Sequence, residues 1–321
     1  MIWKNKIVIL FLCFVSCKKE SKTQLKEVSK GNLSPNTSYY STKHLVECED
    51  LMGLQTSSNI KIIDFRKPEA FLKEHLVNAI NIWRTDIEDT SFPYKGVMAS
   101  RSKIEALFSR LGIKQEDQLV VYDDIGACDS SRLWWVLKNY GFDNVKILNG
   151  GLTAWKLKKG ALTSNFIKYD ASDFKFPLKK NMSLYASLED VKSMVVNDSI
   201  ILLDTRTDDE FSGKRQKKGA SRAGHIPNSI LLDWALTVDF NATKKIKPYK
   251  DLLNLYQSKG ITKDKEIYVY CHSGVRSAHT TFVLTELLGY KNVKNYDGSW
   301  IEWSFNKDLP VEQDTITTLF K

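Results

Sequence analysis

Glu266-Ile267-Tyr268-Val269-Tyr270-Cys271-His272-Ser273-Gly274-Val275-Arg276-Ser277 runs from a β-rich stretch through a short loop into a helical pattern over residues 278–288. A cysteine where a buried strand stops and a helix begins sits at the carboxyl edge of a parallel sheet, the edge on which open α/β folds place their ligands. The backbone N–H groups of such a loop, the positive end of the following helix and the guanidinium of Arg276 all favour thiolate over thiol. Four residues separate Cys271 from Arg276, and Gly274 among them supplies the backbone freedom a tight anion-cradling loop requires. Read from the loop alone, the alternative is a buried, inert cysteine beside a helix-surface arginine.

Outward from this loop, the chain repeats itself. Ile200-Ile201-Leu202-Leu203-Asp204-Thr205-Arg206 echoes Lys61-Ile62-Ile63-Asp64-Phe65-Arg66 at a spacing of 140 residues. Ile267-Tyr268-Val269-Tyr270-Cys271 echoes Leu119-Val120-Val121-Tyr122-Asp123, and Asn292-Val293-Lys294-Asn295-Tyr296-Asp297-Gly298 echoes Asn144-Val145-Lys146-Ile147-Leu148-Asn149-Gly150, both at 148. In the first copy, strands are expected over residues 59–64, 79–82, 118–122 and 145–148, with helices over 68–74, 100–111 and 130–140, the last ending at Gly141. Strands alternating with helices predict a parallel sheet covered on both faces. Two copies of one α/β domain follow, over residues 41–157 and 181–321, joined by a linker at 158–180 where the apolar period lapses. The position of Cys271 is occupied in the first copy by Asp123, which has no sulfur to offer, so only the second copy is chemically competent. Cys128 falls five residues past the first copy's strand end and reads as structural or as a disulfide partner.

The chain has 321 residues, 42% of them hydrophobic, with eight tryptophans and a formal charge of +9. That is enough for two domains with substantial cores. The excess lysines are scattered, which describes a solvated surface and excludes nucleic-acid binding as the leading function, while still favouring small anionic substrates.

Lys4 and Lys6 precede the apolar run Ile7-Val8-Ile9-Leu10-Phe11-Leu12-Cys13-Phe14-Val15, followed by Ser16 and Cys17. A basic start, a short apolar stretch and a small residue predict a signal peptide over residues 1–16, too short to span a bilayer comfortably. Phe14-Val15-Ser16-Cys17 resembles a bacterial lipobox, which makes Cys17 the lipidated N-terminus and residues 17–40 a lipidated, polar, flexible tether. The expected location is exported and membrane-anchored, on the periplasmic or cell-envelope side. Cys48, Cys128 and Cys271 remain, an odd number for an exported protein, and a bridge between Cys48 and Cys128 is left open.

Four features together resemble the rhodanese family, specifically its tandem-domain sulfurtransferases: Asp204-Thr205-Arg206, Gly224-His225-Ile226-Pro227-Asn228-Ser229, the loop from Cys271 to Arg276, and Tyr296-Asp297-Gly298-Ser299-Trp300-Ile301-Glu302-Trp303. The resemblance spans most of the chain from about residue 41. It implies two tandem rhodanese-like domains, the first inactive and the second catalytic. It further implies that Cys271 takes the outer sulfur of thiosulfate or 3-mercaptopyruvate as a persulfide and passes it to a thiol or cyanide. By the same resemblance, backbone N–H groups of His272, Ser273, Gly274, Val275 and Arg276 cradle the sulfur, Arg206 and Arg276 contact the anionic donor, and Asp204 orients Arg206. His225 belongs to a structural turn. His272-Ser273 matches neither the basic residue of thiosulfate-preferring relatives nor the Gly-Ser or Gly-Thr of mercaptopyruvate-preferring ones. A charged His272 would assist a dianion at lower pH; a solvent-facing loop residue is the other reading.

Two alternatives belong to other classes. Cysteine phosphatases and arsenate reductases also use a Cys-to-Arg loop, but the related phosphatases have five intervening residues, and the shorter loop here suits a sulfane sulfur better. A non-enzymatic persulfide carrier or sensor would hand its sulfur to a specific protein acceptor. No metal or organic cofactor is expected, since neither metal-ligand spacing nor a phosphate-binding glycine fingerprint is present. The expected partners are a small anionic sulfur donor, a thiol or cyanide acceptor and, through the N-terminal lipid, a membrane; a protein acceptor is left unknown.

Overall fold

Lys61-Ile62-Ile63-Asp64 and Ile201-Leu202-Leu203-Asp204 are buried along their whole length, as a strand covered by helices on both faces must be. The computed structural model describes Met1 and residues 38–313, apart from 55, 56, 58, 180, 196 and 198. Apart from Met1, the proposed signal peptide and the lipidation residue Cys17 lie outside the described residues.

Each copy contains a five-stranded sheet paired in parallel throughout. In the first, β1 (Leu45–Val46), β2 (Ile60–Asp64), β3 (Ala79–Asn81), β4 (Gln118–Tyr122) and β5 (Val145–Leu148) lie in the order β1-β5-β4-β2-β3. In the second, β6 (Tyr185–Ala186), β7 (Ile200–Asp204), β8 (Ser229–Leu231), β9 (Glu266–Tyr270) and β10 (Val293–Tyr296) lie in the matching order β6-β10-β9-β7-β8. The central registers also match, Asp64 pairing with Tyr122 and Asp204 with Tyr270. Helices α1 (Cys48–Leu54), α2 (Pro68–Lys73), α3 (Arg101–Arg110), α4 (Cys128–Asn139) and α5 (Gly151–Leu157) belong to the first copy. Helices α6 (Leu188–Met194), α7 (Asp208–Phe211), α8 (Tyr249–Gln257), α9 (Val275–Phe282) and α10 (Ser299–Phe305) belong to the second.

One apolar core runs through both copies, from Ile63, Val121 and Trp134 to Leu203, Val269 and Phe282. At its centre the equivalent helices α4 and α9 pack together, with the Trp134 and Phe282 rings edge to face at 4.9 Å. These are the helices that follow β4 and β9, so their packing brings the N-terminal end of each copy's loop helix to the same interface.

Three local expectations are corrected. Helix α4 starts at Cys128 and not at 130, because Ala127 takes a left-handed backbone conformation (φ 67°) and the Asp123 carboxylate accepts the N–H groups of Ile125 and Ala127 ahead of the helix and of Ser130 in its first turn. Helix α9 starts at Val275, directly after Gly274, and widens into a π-helical turn over Val283–Leu287 where a plain helix over 278–288 is predicted. The segment at 158–180 does not simply bridge two domains. Leu162–Thr163 pairs antiparallel with His75–Leu76, and Phe174 and Phe176 are buried against Phe108. Apolar period fails to find such a segment because two aromatic rings two residues apart are enough to pin it.

Candidate active site

Tyr270 ends β9 in the centre of its sheet, and the chain then turns through Cys271-His272-Ser273-Gly274 into α9. Gly274 makes the turn possible: its φ is +76°, and a Cβ there would lie 2.7 Å from the Asp297 carbonyl oxygen and 2.9 Å from Nη1 of Arg132. Ser299 holds the loop from beneath, its Oγ accepting the N–H groups of Cys271 at 3.2 Å and Gly274 at 3.0 Å while donating to the Tyr296 carbonyl.

The Cys271 side chain is 1% exposed. Its sulfur accepts from Ser277 Oγ at 3.4 Å and from the backbone N–H groups of Ser277 and Ser273. Burial by itself would raise the thiol, but the Arg276 guanidinium and these donors outweigh it and hold Cys271 below its ordinary value. Arg276 is in turn gripped by Glu210, whose two oxygens accept from its Nη1 and Nη2 at 2.7 and 2.9 Å. Burial opposes the ionised form of Glu210, yet Arg276 keeps that carboxylate well below the usual range. The chain Glu210–Arg276–Cys271 therefore places a paired, oriented cation beside a thiolate.

Cys271, His272, Ser273, Val275 and Arg276 line a cavity of about 140 Å³ together with Arg84, Cys128, Lys217 and Trp234. Arg84 and Cys128 come from the first copy, so the site has walls from both. At the repeat spacing of 148, Cys128 is the counterpart of Arg276 and Asp123 that of Cys271. The Asp123 carboxylate fills its own loop, accepting from the N–H groups of Ile125, Ala127 and Ser130 and from Ser130 Oγ at 2.8–3.0 Å. The first loop thus carries a built-in anion where the second has a nucleophile. Cys48, Cys128 and Cys271 are all free, which leaves no Cys48–Cys128 bridge. Burial and the neighbouring Asp129 push the Cys128 thiol far up, so it stays protonated beside the Cys271 thiolate.

Arg206 and Gly274 differ from expectation. The Arg206 guanidinium is buried between Tyr270 and Trp300, bonded to both oxygens of Asp204 and to the Gly224 carbonyl. It does not line the cavity. The first copy builds the same pair, Arg66 on Asp64 with the Glu74 carbonyl as third partner, without any cysteine to serve. The pair braces the strand end; an Asp-x-Arg spacing alone does not distinguish such a brace from an anion contact. Gly274 gives its N–H to Ser299 and its carbonyl to Arg132 and Asn295, so it shapes the loop without donating to the sulfur. His225 stacks on Phe211 at 3.6 Å with Nδ1 bonded to the Phe211 carbonyl, as His75 stacks on Phe71 in the first copy. His272 is neither charged nor solvent-facing. Burial and the adjacent Lys217 and Arg276 push it down to about 4, and its Nε2 lies 3.2 Å from the Lys218 carbonyl.

Sequence reading missed Arg84, Lys217, Glu210 and Ser277. The basic run Lys214-Arg215-Gln216-Lys217-Lys218 was a usable signal for one of them; Arg84 had none, since it enters from the other copy.

Two copies of one parallel α/β unit, sharing a single cavity with a thiolate loop on one side only, define a tandem-domain cysteine transferase. The sequence profile of the Rhodanese-like domain matches residues 47–158 and 187–306, and the chain belongs to the rhodanese family. It is a sulfurtransferase of the tandem kind. A protein of Mycobacterium tuberculosis named putative thiosulfate sulfurtransferase is 34% identical over 258 residues, covering 76% of this chain and 87% of that one. The sulfur carrier protein TtuD of Thermus thermophilus is 34% identical over 247 residues, covering 74% and 85%. The crystal structure of SseA from Escherichia coli, described as a 3-mercaptopyruvate sulfotransferase, superposes with a TM-score of 0.72 at 25% identity, covering 80% of this chain and 98% of that one.

Proposed function

We propose that this sulfurtransferase uses thiosulfate as donor and Cys271 as the sulfur-carrying nucleophile. The observation that carries the reading is the Cys271 sulfur itself, held as thiolate by Arg276, Ser277 and two backbone N–H groups inside a cavity of about 140 Å³. That is the room of about five waters, suited to a five-heavy-atom dianion. Cys271 attacks the outer sulfur, the S–S bond of thiosulfate breaks, and its electron pair leaves with sulfite; Lys217, Arg84 and Arg276 offset the charge developing there. The persulfide keeps the donors that held the thiolate. An acceptor thiolate or cyanide then attacks the outer sulfur and returns Cys271 as thiolate.

Intact mass spectrometry of a fragment from residue 41 tests this directly. Thiosulfate is expected to add one sulfur, about 32 Da, on Cys271, removable by cyanide and absent from Cys271→Ser. If 3-mercaptopyruvate charges the protein and thiosulfate does not, the donor assignment is reversed. The relative named a sulfur carrier favours a second reading, in which the persulfide goes to one protein acceptor; turnover only in the presence of such a protein would select it. The same proposal places the protein on the outer side of a membrane, anchored through lipidated Cys17, which rests on the basic-apolar-small pattern of residues 1–17. Palmitate labelling lost in Cys17→Ser is the expected result.

A further inference from the structure

Outside the catalytic cavity lies a second, wider one of about 560 Å³. The two share Arg84, Lys217, His272 and Ser273, so they adjoin along that wall. Lys95 and Lys218 line the wide cavity and not the inner one. Among the described residues, the ammonium groups of Lys95, Lys217 and Lys218 have no ion-pair or hydrogen-bond partner, and all three, with Arg84, line this one cavity. Glu88 is the one acidic residue among the wide cavity's lining residues. The wall common to both cavities holds an unmet polar group as well: His272 is 6% exposed, and its Nδ1 has no hydrogen-bond partner. Gly96 keeps the passage narrow at the loop, since a Cβ on it would lie 2.6 Å from the Ser273 Cβ.

A five-atom donor resting on Cys271 is served by the inner cations and leaves Lys95 and Lys218 unused. A ligand that engages those two while presenting sulfur to Cys271 has to be longer, with its reactive end inward and its negative charge outward. The volume is that of a small-molecule site, not of a folded partner's footprint. We infer that this vestibule binds the acceptor, a low-molecular-weight thiol bearing two or more carboxylates, with Lys95 and Lys218 holding the carboxylates and the thiol reaching through to the Cys271 persulfide. The inference rests on the sulfurtransferase reading above. In the transfer, the acceptor thiol loses its proton to solvent and its sulfur bonds to the outer sulfur of the persulfide. The bond from that sulfur to Cys271 breaks, and the electron pair returns to Cys271 as thiolate.

The experiment charges the protein with thiosulfate, removes the excess and follows discharge of the persulfide by mercaptosuccinate, 2-mercaptoethanol and cysteamine. Mercaptosuccinate is expected to have the highest rate constant per molar concentration at low salt, and its advantage over 2-mercaptoethanol to shrink about tenfold in Lys95→Gln/Lys218→Gln, the effect of two exposed charge pairs. In Lys95→Glu/Lys218→Glu the preference is expected to turn toward cysteamine. Equal discharge by the three thiols in the unaltered protein, or a mercaptosuccinate preference that both double variants retain, would overturn the inference while leaving Cys271 chemistry intact. Discharge by a protein thiol alone overturns it too. Failure to charge at all is a different result, which removes the proposed function and this inference with it.

Discussion

The guanidinium of Arg132, on α4 of the first copy, donates to Oδ1 of Asp297 at 2.6 Å and reaches the carbonyl of Gly274 in the catalytic loop at 3.4 Å. Both partners of the ion pair are 3% exposed. Arg132 also donates to the Gly96 carbonyl, and the second oxygen of Asp297 accepts the N–H of Met98. The copy without a nucleophile therefore supports the loop that has one, and the support is a buried charge pair bonded on all sides.

Removing one partner of that pair strands the other charge. Arg132→Met is expected to cost about 3–5 kcal/mol in urea denaturation, and the double variant Arg132→Met/Asp297→Asn to recover part of it. Full additivity of the two single losses would show that the pair is not coupled.

Thiolate character separates the three described cysteines. Iodoacetamide is expected to modify Cys271 at neutral pH and to spare Cys128, and Cys48, which burial pushes up to about 11. Arg276→Ala removes the principal influence holding Cys271 down, so the midpoint of its alkylation profile should move to higher pH and kcat/KM should fall about 100-fold. An unmoved midpoint would take Arg276 out of the site.

Glu210 links activity to acid stability. Its carboxylate sits below its ordinary value of 4.5, so the folded state prefers it ionised. That contribution is complete above the ordinary value and declines as pH falls through the lower, folded one. Glu210→Gln removes this link, so acid unfolding below about pH 4.5 should be shallower in the variant. Turnover should fall as well, because Arg276 loses its charged partner. Parallel acid-unfolding curves would contradict the sign.

Asp123 can be tested as an internal anion. Asp123→Ala leaves three backbone N–H groups and the Ser130 hydroxyl without their acceptor, a loss of about 3 kcal/mol or more. Added sulfate should return part of the lost melting temperature if the emptied loop binds anions as its geometry suggests.

Much of the fold was legible because short β-branched runs such as Ile62-Ile63 and Leu119-Val120-Val121, alternating with helical patterns, read as strands buried on both faces. Of the site, Cys271, Ser273 and Arg276 were legible from spacing, since a strand-to-helix loop closes over a few consecutive residues. Spacing failed at Arg206, where a strand-end arginine looks the same in sequence whether it meets a substrate or a neighbouring carboxylate. It failed again at Cys128, which lies 143 residues before Cys271 and yet lines the same cavity.

The amino-acid sequence by itself determined the two α/β copies, the choice of the second as the reactive one and the anion loop around Cys271, because these depend on local patterning and on the identity of one residue. Tertiary structure alone decided which groups beyond Arg276 reach the cavity around the sulfur. Packing α4 on α9 brings Arg84 and Cys128 to the cavity and commits Arg132 to the loop. Side chains more than a hundred residues apart meet only when the shared apolar core closes, and no local pattern encodes that distance.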